Sequence, residues 1–200
     1  HPAFKFGNTE LTGFWVGKFE ISTTDSTCNS SATSANCNKE LTMSIKPNVS
    51  SWRYATISNY FTSIQNAIGT YGISNADSHM VKNMEWGAVA YLKQSKYGLG
   101  TTDIGINNNS NYITGCGATV GSASSTICNK YNTATGMLAS TTGNISGVYD
   151  MSGGAWEYVS AYITVKSGSS GFSTTTLSNY DSKYFDVYNA SSAFSTYQYR

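Results

Sequence analysis

The sequence predicts one α+β domain, on three observations: a β-branched and aromatic segment near the N-terminus, two windows of helical apolar spacing, and long stretches of Gly, Asn, Ser and Thr. At 200 residues, 40% of them apolar and 14% aromatic, the chain can bury one core and is unlike a disordered segment. No linker, fixed-period repeat or change of composition divides it, so residues 1–200 are read as a single domain.

Residues 12–22 combine Phe14, Trp15, Val16, Phe19 and Ile21 with alternating polar positions, the pattern of a strand. Residues 23–39 lose nearly all apolar content and carry the first cysteine pair, which marks a loop. A short extended piece follows from Leu41 to Ile45, ended by Lys46-Pro47. From Ser51 to Gly69, Trp52, Ile57, Tyr60, Phe61, Ile64 and Ile68 fall mostly three, four or seven apart. One face of a helix is thereby apolar, with Ser51 able to cap it and Gly69 able to end it. A second helix is expected over residues 83–95, with Trp86, Val89, Ala90 and Lys93 on one stripe, Met84, Ala88 and Leu92 beside it, Glu85 in the first turn and Lys93 and Lys96 near the end. Residues 98–146, with Asn107-Asn108-Asn109 and the second cysteine pair, are expected to be mostly loop. Stretches of that length are functional or are fastened by disulfides or ions.

The formal charge is +1, so no strong field recruits a nucleic-acid backbone or an anionic membrane. No apolar run approaches the roughly 20 residues of a spanning helix. The chain opens at His1-Pro2-Ala3 with neither an initiator Met nor a leader, as a soluble fragment or processed product would. Charged residues are only 12%, while Ser, Thr and Asn fill roughly a third, a surface suited to extracellular proteins. The fifteen Tyr either present wet, amphipathic contact area to a ligand or pack the loops.

The four cysteines form two sequence-local pairs, Cys28 with Cys37 and Cys116 with Cys128, and local pairing is the economical choice among three connectivities. Neither spacing is that of a zinc knuckle or redox dithiol. Structural disulfides in an oxidising compartment follow, against the alternative of four buried thiols. Sequons begin at Asn29, Asn48, Asn108, Asn144 and Asn189, but in so Asn-rich a chain they carry no weight.

Residues 147–159 read Gly147-Val148-Tyr149-Asp150-Met151-Ser152-Gly153-Gly154-Ala155-Trp156-Glu157-Tyr158-Val159. The Gly pair permits a tight turn of positive φ, after which Trp156 can be buried and Glu157 presented on a short strand. This segment resembles the Gly-Leu-Tyr-Asp-Met-x-Gly-Asn-x-Trp-Glu-Trp signature of the formylglycine-generating enzyme, or sulfatase-modifying factor, family. In the same order, residues 14–22 resemble that family's opening strand, and Met84-Glu85-Trp86-Gly87-Ala88-Val89-Ala90 resembles its Glu-Ala-Glu-Trp-Glu-x-Ala helix. The three matches cover about forty residues. The resemblance implies a C-type-lectin-like fold with two helices, small antiparallel sheets and long loops. The chain is also similar to secreted, pilin-like proteins of gut Firmicutes in which such a domain follows an N-terminal helix.

The departures bear on function. The oxidising members of the family use a late cysteine pair to bind copper, and here no cysteine follows Cys128. The family also continues through Arg-Gly-Gly and a closing Phe-Arg strand, which implies a further part of the domain beyond Tyr199-Arg200, or a partner that covers the core in its place. The family's calcium ligands map onto Glu157 and the carbonyls of Ala155 and Val159, with Gly154 standing where an Asn would supply an oxygen. The alternative is that Glu157 simply accepts backbone hydrogen bonds or joins an ion pair.

The expectation is therefore a non-catalytic extracellular domain of a bacterial surface or pilus-like filament protein, meeting a glycan or protein ligand or neighbouring subunits; fold analogy alone supplies the word recognition. No Gly-x-Ser-x-Gly, His-Glu-x-x-His or phosphate-loop motif occurs, and the eleven acids form no recognisable glycosidase pair. The rival is a secreted copper oxidase in which the His1 amine and ring join His79, the only other histidine. Against it stand the helices and the Trp-Glu segment, which do not suit the β-sandwich of such enzymes.

Overall fold

A computed structural model describes residues 1–30, 32–163 and 179–188. It is a mixed α and β chain in which short elements alternate with long irregular runs. A 3-10 turn, Pro2–Phe4, leads into the hairpin β1 (Lys5–Phe6) and β2 (Thr9–Glu10). Strand β3 (Ser22–Thr23) follows, then α1 (Ser26–Ser30), α2 (Ser34–Cys37) and β4 (Met43–Ser44), which pairs antiparallel with β3. Helices α3 (Ile57–Gln65), α4 (Ala67–Tyr71) and α5 (Asn83–Ala90) come next. After a 3-10 turn at Tyr91–Gln94, β5 (Cys116–Gly117) pairs antiparallel with β6 (Asn129–Lys130), and α6 (Ala134–Met137) follows. Last, β7 (Ala161–Ile163) pairs parallel with β8 (Asp186–Tyr188). The sequon at Asn189 and the terminal Tyr199-Arg200 lie outside the described residues.

Helix α3 carries the main core. Ile57, Tyr60 and Phe61 are buried with Trp52, Met80 and the Cys28–Cys37 bridge, and Ile21, Leu41 and Ile64 pack against them. The polar ends of these rings are satisfied: Trp52 Nε1 donates to the Cys37 carbonyl at 3.1 Å and Tyr60 Oη to the Trp52 carbonyl at 3.1 Å. A second aromatic group stacks Phe19 on the fully buried Tyr149 at 5.3 Å, with Tyr131 edge-on to both.

The expected helix over residues 51–69 starts later and ends later. Ser51 does not cap it; its N–H donates to the Tyr112 carbonyl at 2.9 Å, and Tyr54 takes a φ of 66°, which keeps residues 51–56 out of a helix. Thr56 is the cap, its hydroxyl accepting the Asn59 N–H at 3.4 Å. After an interruption at Asn66 the chain stops at Gly72, not Gly69, because Gly72 takes the left-handed φ of 66° that closes a helix end. The second helix agrees closely with expectation, α5 and the following 3-10 turn together spanning residues 83–94.

Residues 12–22 are the larger correction. Only Ser22 and Thr23 join a ladder; the stretch before them is irregular, with bends at Thr12, Lys18 and Phe19. Its polar backbone is shared among separate neighbours instead. The Lys18 carbonyl accepts from Tyr149 N–H and the Ile21 carbonyl from Trp52 N–H, both at 2.9 Å, while Glu20 N–H donates to Asp150. Residues 23–39 depart the other way, since the expected loop contains α1 and α2. Asp25 Oδ1 accepts the Thr27 and Cys28 N–H groups at the start of α1, so polar residues of the kind that mark loops here supply the caps.

Candidate functional site

A cavity of about 310 Å³ opens between residues 14–21, α5, and residues 148–158. Its walls are Trp52, Tyr60, Trp86 and Tyr158, with Phe14, Phe19 and Tyr149 behind them. Trp15 and Trp156 also line it, yet both are almost wholly in solvent, Trp156 at 93% exposure, so they stand at its mouth. Burial of Trp156 after the Gly turn was the expectation; no described element covers the ring. The short strand expected to present Glu157 is likewise absent, the first ladder beyond it being β7.

The turn itself is as the sequence predicts. Gly153 and Gly154 have φ of 81° and 74°. Both are also pressed by neighbours: a Cβ on Gly153 would lie 2.3 Å from the Asn107 carbonyl oxygen, and one on Gly154 2.7 Å from Glu20 Oε1. Gly154 therefore makes room for a carboxylate.

Asp150, just before this turn, is the anchor of the floor. It is buried at a φ of 66°, and its carboxylate accepts from Asn107 Nδ2 at 2.9 Å, from Gly115 N–H at 2.9 and 3.0 Å, and from Glu20 N–H at 3.2 Å. Burial pushes its pKa up, and those donors push it down less strongly. Asn107 and Asn109, both buried, hold the same loop from within: Asn107 Nδ2 also reaches the Ile113 carbonyl at 2.8 Å, and Asn109 Oδ1 accepts from Asn111 and Ile113 N–H.

Glu20 and Ser51 are the cavity-lining residues whose buried side-chain oxygens make no hydrogen bond among the described residues. For Glu20 this holds of both carboxylate oxygens. Burial first, then the charges of Asp150 and Glu157, raise its pKa to about 9, opposed more weakly by the nearby Ala155 amide and Arg53. Glu20 is thus a neutral acid near pH 7. Glu157 is exposed as a residue but turns its carboxylate onto the indole N–H of Trp86. That bond joins the Trp86 helix to the Trp156 turn. Desolvation raises the Glu157 pKa to about 7, the Trp86 bond opposing it and Asp150 adding to it; water at the exposed side screens part of the effect.

On the far wall, Glu85 accepts the Lys82 N–H at 2.9 Å and faces His79 Nε2 at 3.0 and 3.1 Å, with Lys82 Nζ 3.5 Å away. These contacts hold the Glu85 pKa down against burial, which alone raises it. Lys82, itself buried, also donates to the Lys5 carbonyl at 3.0 Å and lies over the Phe6 ring. Asp77, at the rim, is paired with Lys183 and Tyr184.

The cysteines pair locally, Cys28–Cys37 and Cys116–Cys128, as expected for a chain matured in an oxidising compartment. Of the residues that the resemblance implies for calcium, Glu157 accepts from Trp86 and the Val159 carbonyl accepts the Ala161 N–H at 2.9 Å, while Ala155 lines the cavity. Among the described residues no group of three or more His, Cys, Asp or Glu is placed to hold a metal ion. Two of the nitrogens that a His1/His79 copper site could use have other partners: His1 Nδ1 accepts from Ala3 N–H, and His79 Nε2 is held by Glu85. Sequence reasoning named Glu157 but missed Glu20. The available signal was an acid inside an otherwise aromatic and aliphatic segment. Among the described residues, no helix is long and apolar enough to cross a membrane. Compared with known proteins, the chain matches no family model, no curated sequence and no solved structure.

Proposed function

We propose that this chain is a non-catalytic extracellular recognition domain, of C-type-lectin-like fold and formylglycine-generating-enzyme kinship, from a bacterial surface or pilus-like filament protein. The observation that carries this reading is the pair of solvent-exposed indoles, Trp15 and Trp156, at the mouth of an aromatic cavity. Exposed large rings beside a concave site contribute contact area at low entropic cost when a ligand arrives. The two disulfides support an extracellular setting, and they also bind up every cysteine in the sequence, leaving no thiol for the redox chemistry of the resembled enzymes. A filament contact through the same two rings is the second reading, favoured by their exposure alone.

The test is binding of the purified protein to glycan and host-protein arrays, alongside Trp15→Ala and Trp156→Ala variants. Both side chains are exposed, so the variants should keep the wild-type fold by circular dichroism. The expected result is saturable binding that each substitution weakens about tenfold or more. Concentration-dependent self-assembly lost in the same variants would assign the surface to filament contacts instead.

A further inference from the structure

We propose that the cavity binds the apolar body of a small amphipathic molecule, one ring or short chain whose single polar end stays at the rim. This rests on the recognition reading and names the ligand class for the same site. All four tryptophans of the sequence, Trp15, Trp52, Trp86 and Trp156, line this one cavity, with aliphatic and aromatic side chains such as Ile21, Met80 and Phe14 between them. What such walls offer a visitor is removal of apolar surface from water.

The hydrogen-bonding side chains of the depth are already committed within the protein. Trp52 Nε1 donates to the Cys37 carbonyl, Tyr60 Oη to the Trp52 carbonyl and Tyr149 Oη to the Tyr131 carbonyl. Trp86 Nε1 donates to Glu157, and Ser78 Oγ donates to the Ile64 carbonyl at 2.8 Å. The charged members are paired as well, Asp77 with Lys183 and Glu85 with His79 and Lys82. The carboxylate oxygens of Glu20 and the hydroxyl of Ser51 have essentially no accessible surface, so they lie behind the wall and meet no visitor. A sugar ring entering the depth would lose its water and find no side chain free to replace it.

The free donors stand at the mouth instead. The indole N–H groups of Trp15 and Trp156 and the Tyr158 hydroxyl make no hydrogen bond among the described residues, and all three side chains are exposed. A ligand with one polar end can keep that end among these groups while its body is buried. The volume, about 310 Å³, suits one small molecule.

The experiment is calorimetric titration of the intact chain with 2-phenylethanol, 4-phenylbutan-1-ol and methyl β-glucoside. In parallel, the indole N–H signals of the four tryptophans are followed by proton–nitrogen correlation spectroscopy. Both phenyl alcohols should bind saturably, the longer at about 1 mM or below, with each added methylene tightening binding about fourfold. The glucoside should bind at least about tenfold more weakly than 2-phenylethanol. The Trp52 and Trp86 signals should shift along with those of the rim, which contact at the surface alone would not produce. Ala155→Phe, which adds a ring to the lining, should abolish binding; should that variant not fold, the comparison of alcohols with glucoside on the wild-type chain still decides. Glucoside binding as tight as that of the alcohols would overturn the apolar assignment and leave the recognition reading intact. Shifts confined to Trp15 and Trp156 would overturn it likewise, placing the ligand on the rim. Failure of both alcohols would overturn it too, and a protein captured on the arrays would then assign the mouth to a partner's surface; the recognition reading would fall only if the arrays were also blank.

Discussion

At Glu20 the local sequence and the tertiary environment disagree. An acid between Phe19 and Ile21 in an alternating segment would ordinarily point to solvent, yet here it turns inward beneath Gly154. The consequence for stability has a definite sign. Between its ordinary pKa of 4.5 and about 9, the folded chain holds a proton on Glu20 that the unfolded chain has released, so stability falls as pH rises through that window. Glu157 adds a smaller loss of the same sign between 4.5 and about 7. Chemical denaturation from pH 5 to pH 9 should show a declining free energy of unfolding. Glu20→Gln should flatten most of the decline, and a variant with an unchanged slope would show that the carboxyl is not buried. Asp25 acts oppositely. Hydrogen bonds from Thr27 and Cys28, and the contact with Lys39, hold its pKa well below the usual carboxylate range, so its contribution is present above the ordinary value and lost only in strong acid.

Among the elements, what the sequence revealed follows the range of the interactions that make each one. Helix α5 was legible because its determinants are local: helical spacing from Met84 to Leu92, and a Glu85 that reaches back to the Lys82 N–H. The 153–154 turn was legible because Gly takes such positive φ without steric cost. The 12–22 segment was misread as a strand because β-propensity records a residue's fitness for a pleated surface and says nothing of whether a partner strand exists. The first helix was misplaced at its start by tertiary bonds, such as Ser51 to Tyr112, that periodicity does not contain, and at its end because the left-handed closing residue is Gly72 and not Gly69. A direct comparison separates the two kinds of glycine. Gly153→Ala, which drives a methyl into the Asn107 backbone, should cost about 3 kcal/mol by thermal or chemical denaturation. Gly121→Ala, also at positive φ but in open space, should cost about 1 kcal/mol. Equal costs would mean that the close approach at Asn107 is relieved without difficulty.

Across the whole molecule, short ladders and long irregular runs leave much of the fold to side-chain hydrogen bonds and covalent ties. The bridges close loops of 9 and 12 residues in sequence. Each should contribute roughly 2 to 3 kcal/mol through restriction of the unfolded chain. Their effects should nevertheless differ in kind. Cys28–Cys37 lies in the core with Trp52 and Phe61, whereas Cys128 sits beside the exposed Ile127. Replacing Cys28 and Cys37 together by Ala should lower the melting temperature and also loosen the near-ultraviolet circular dichroism of Trp52. The Cys116/Cys128 double variant should lower the melting temperature while preserving that signal.

The three donors that meet at Asp150, with the Gly115 N–H shared between both oxygens, tie the Glu20 segment, the Asn107 loop and the Gly115 turn to one carboxylate. None of these three strips can shift independently while that knot holds, whereas the indoles at the entrance are tethered by almost nothing. On the recognition reading proposed above, a visiting molecule would meet a chamber braced from behind by this knot and entered through a yielding doorway, so selectivity for shape would belong to its depth and tolerance for bulk to its rim.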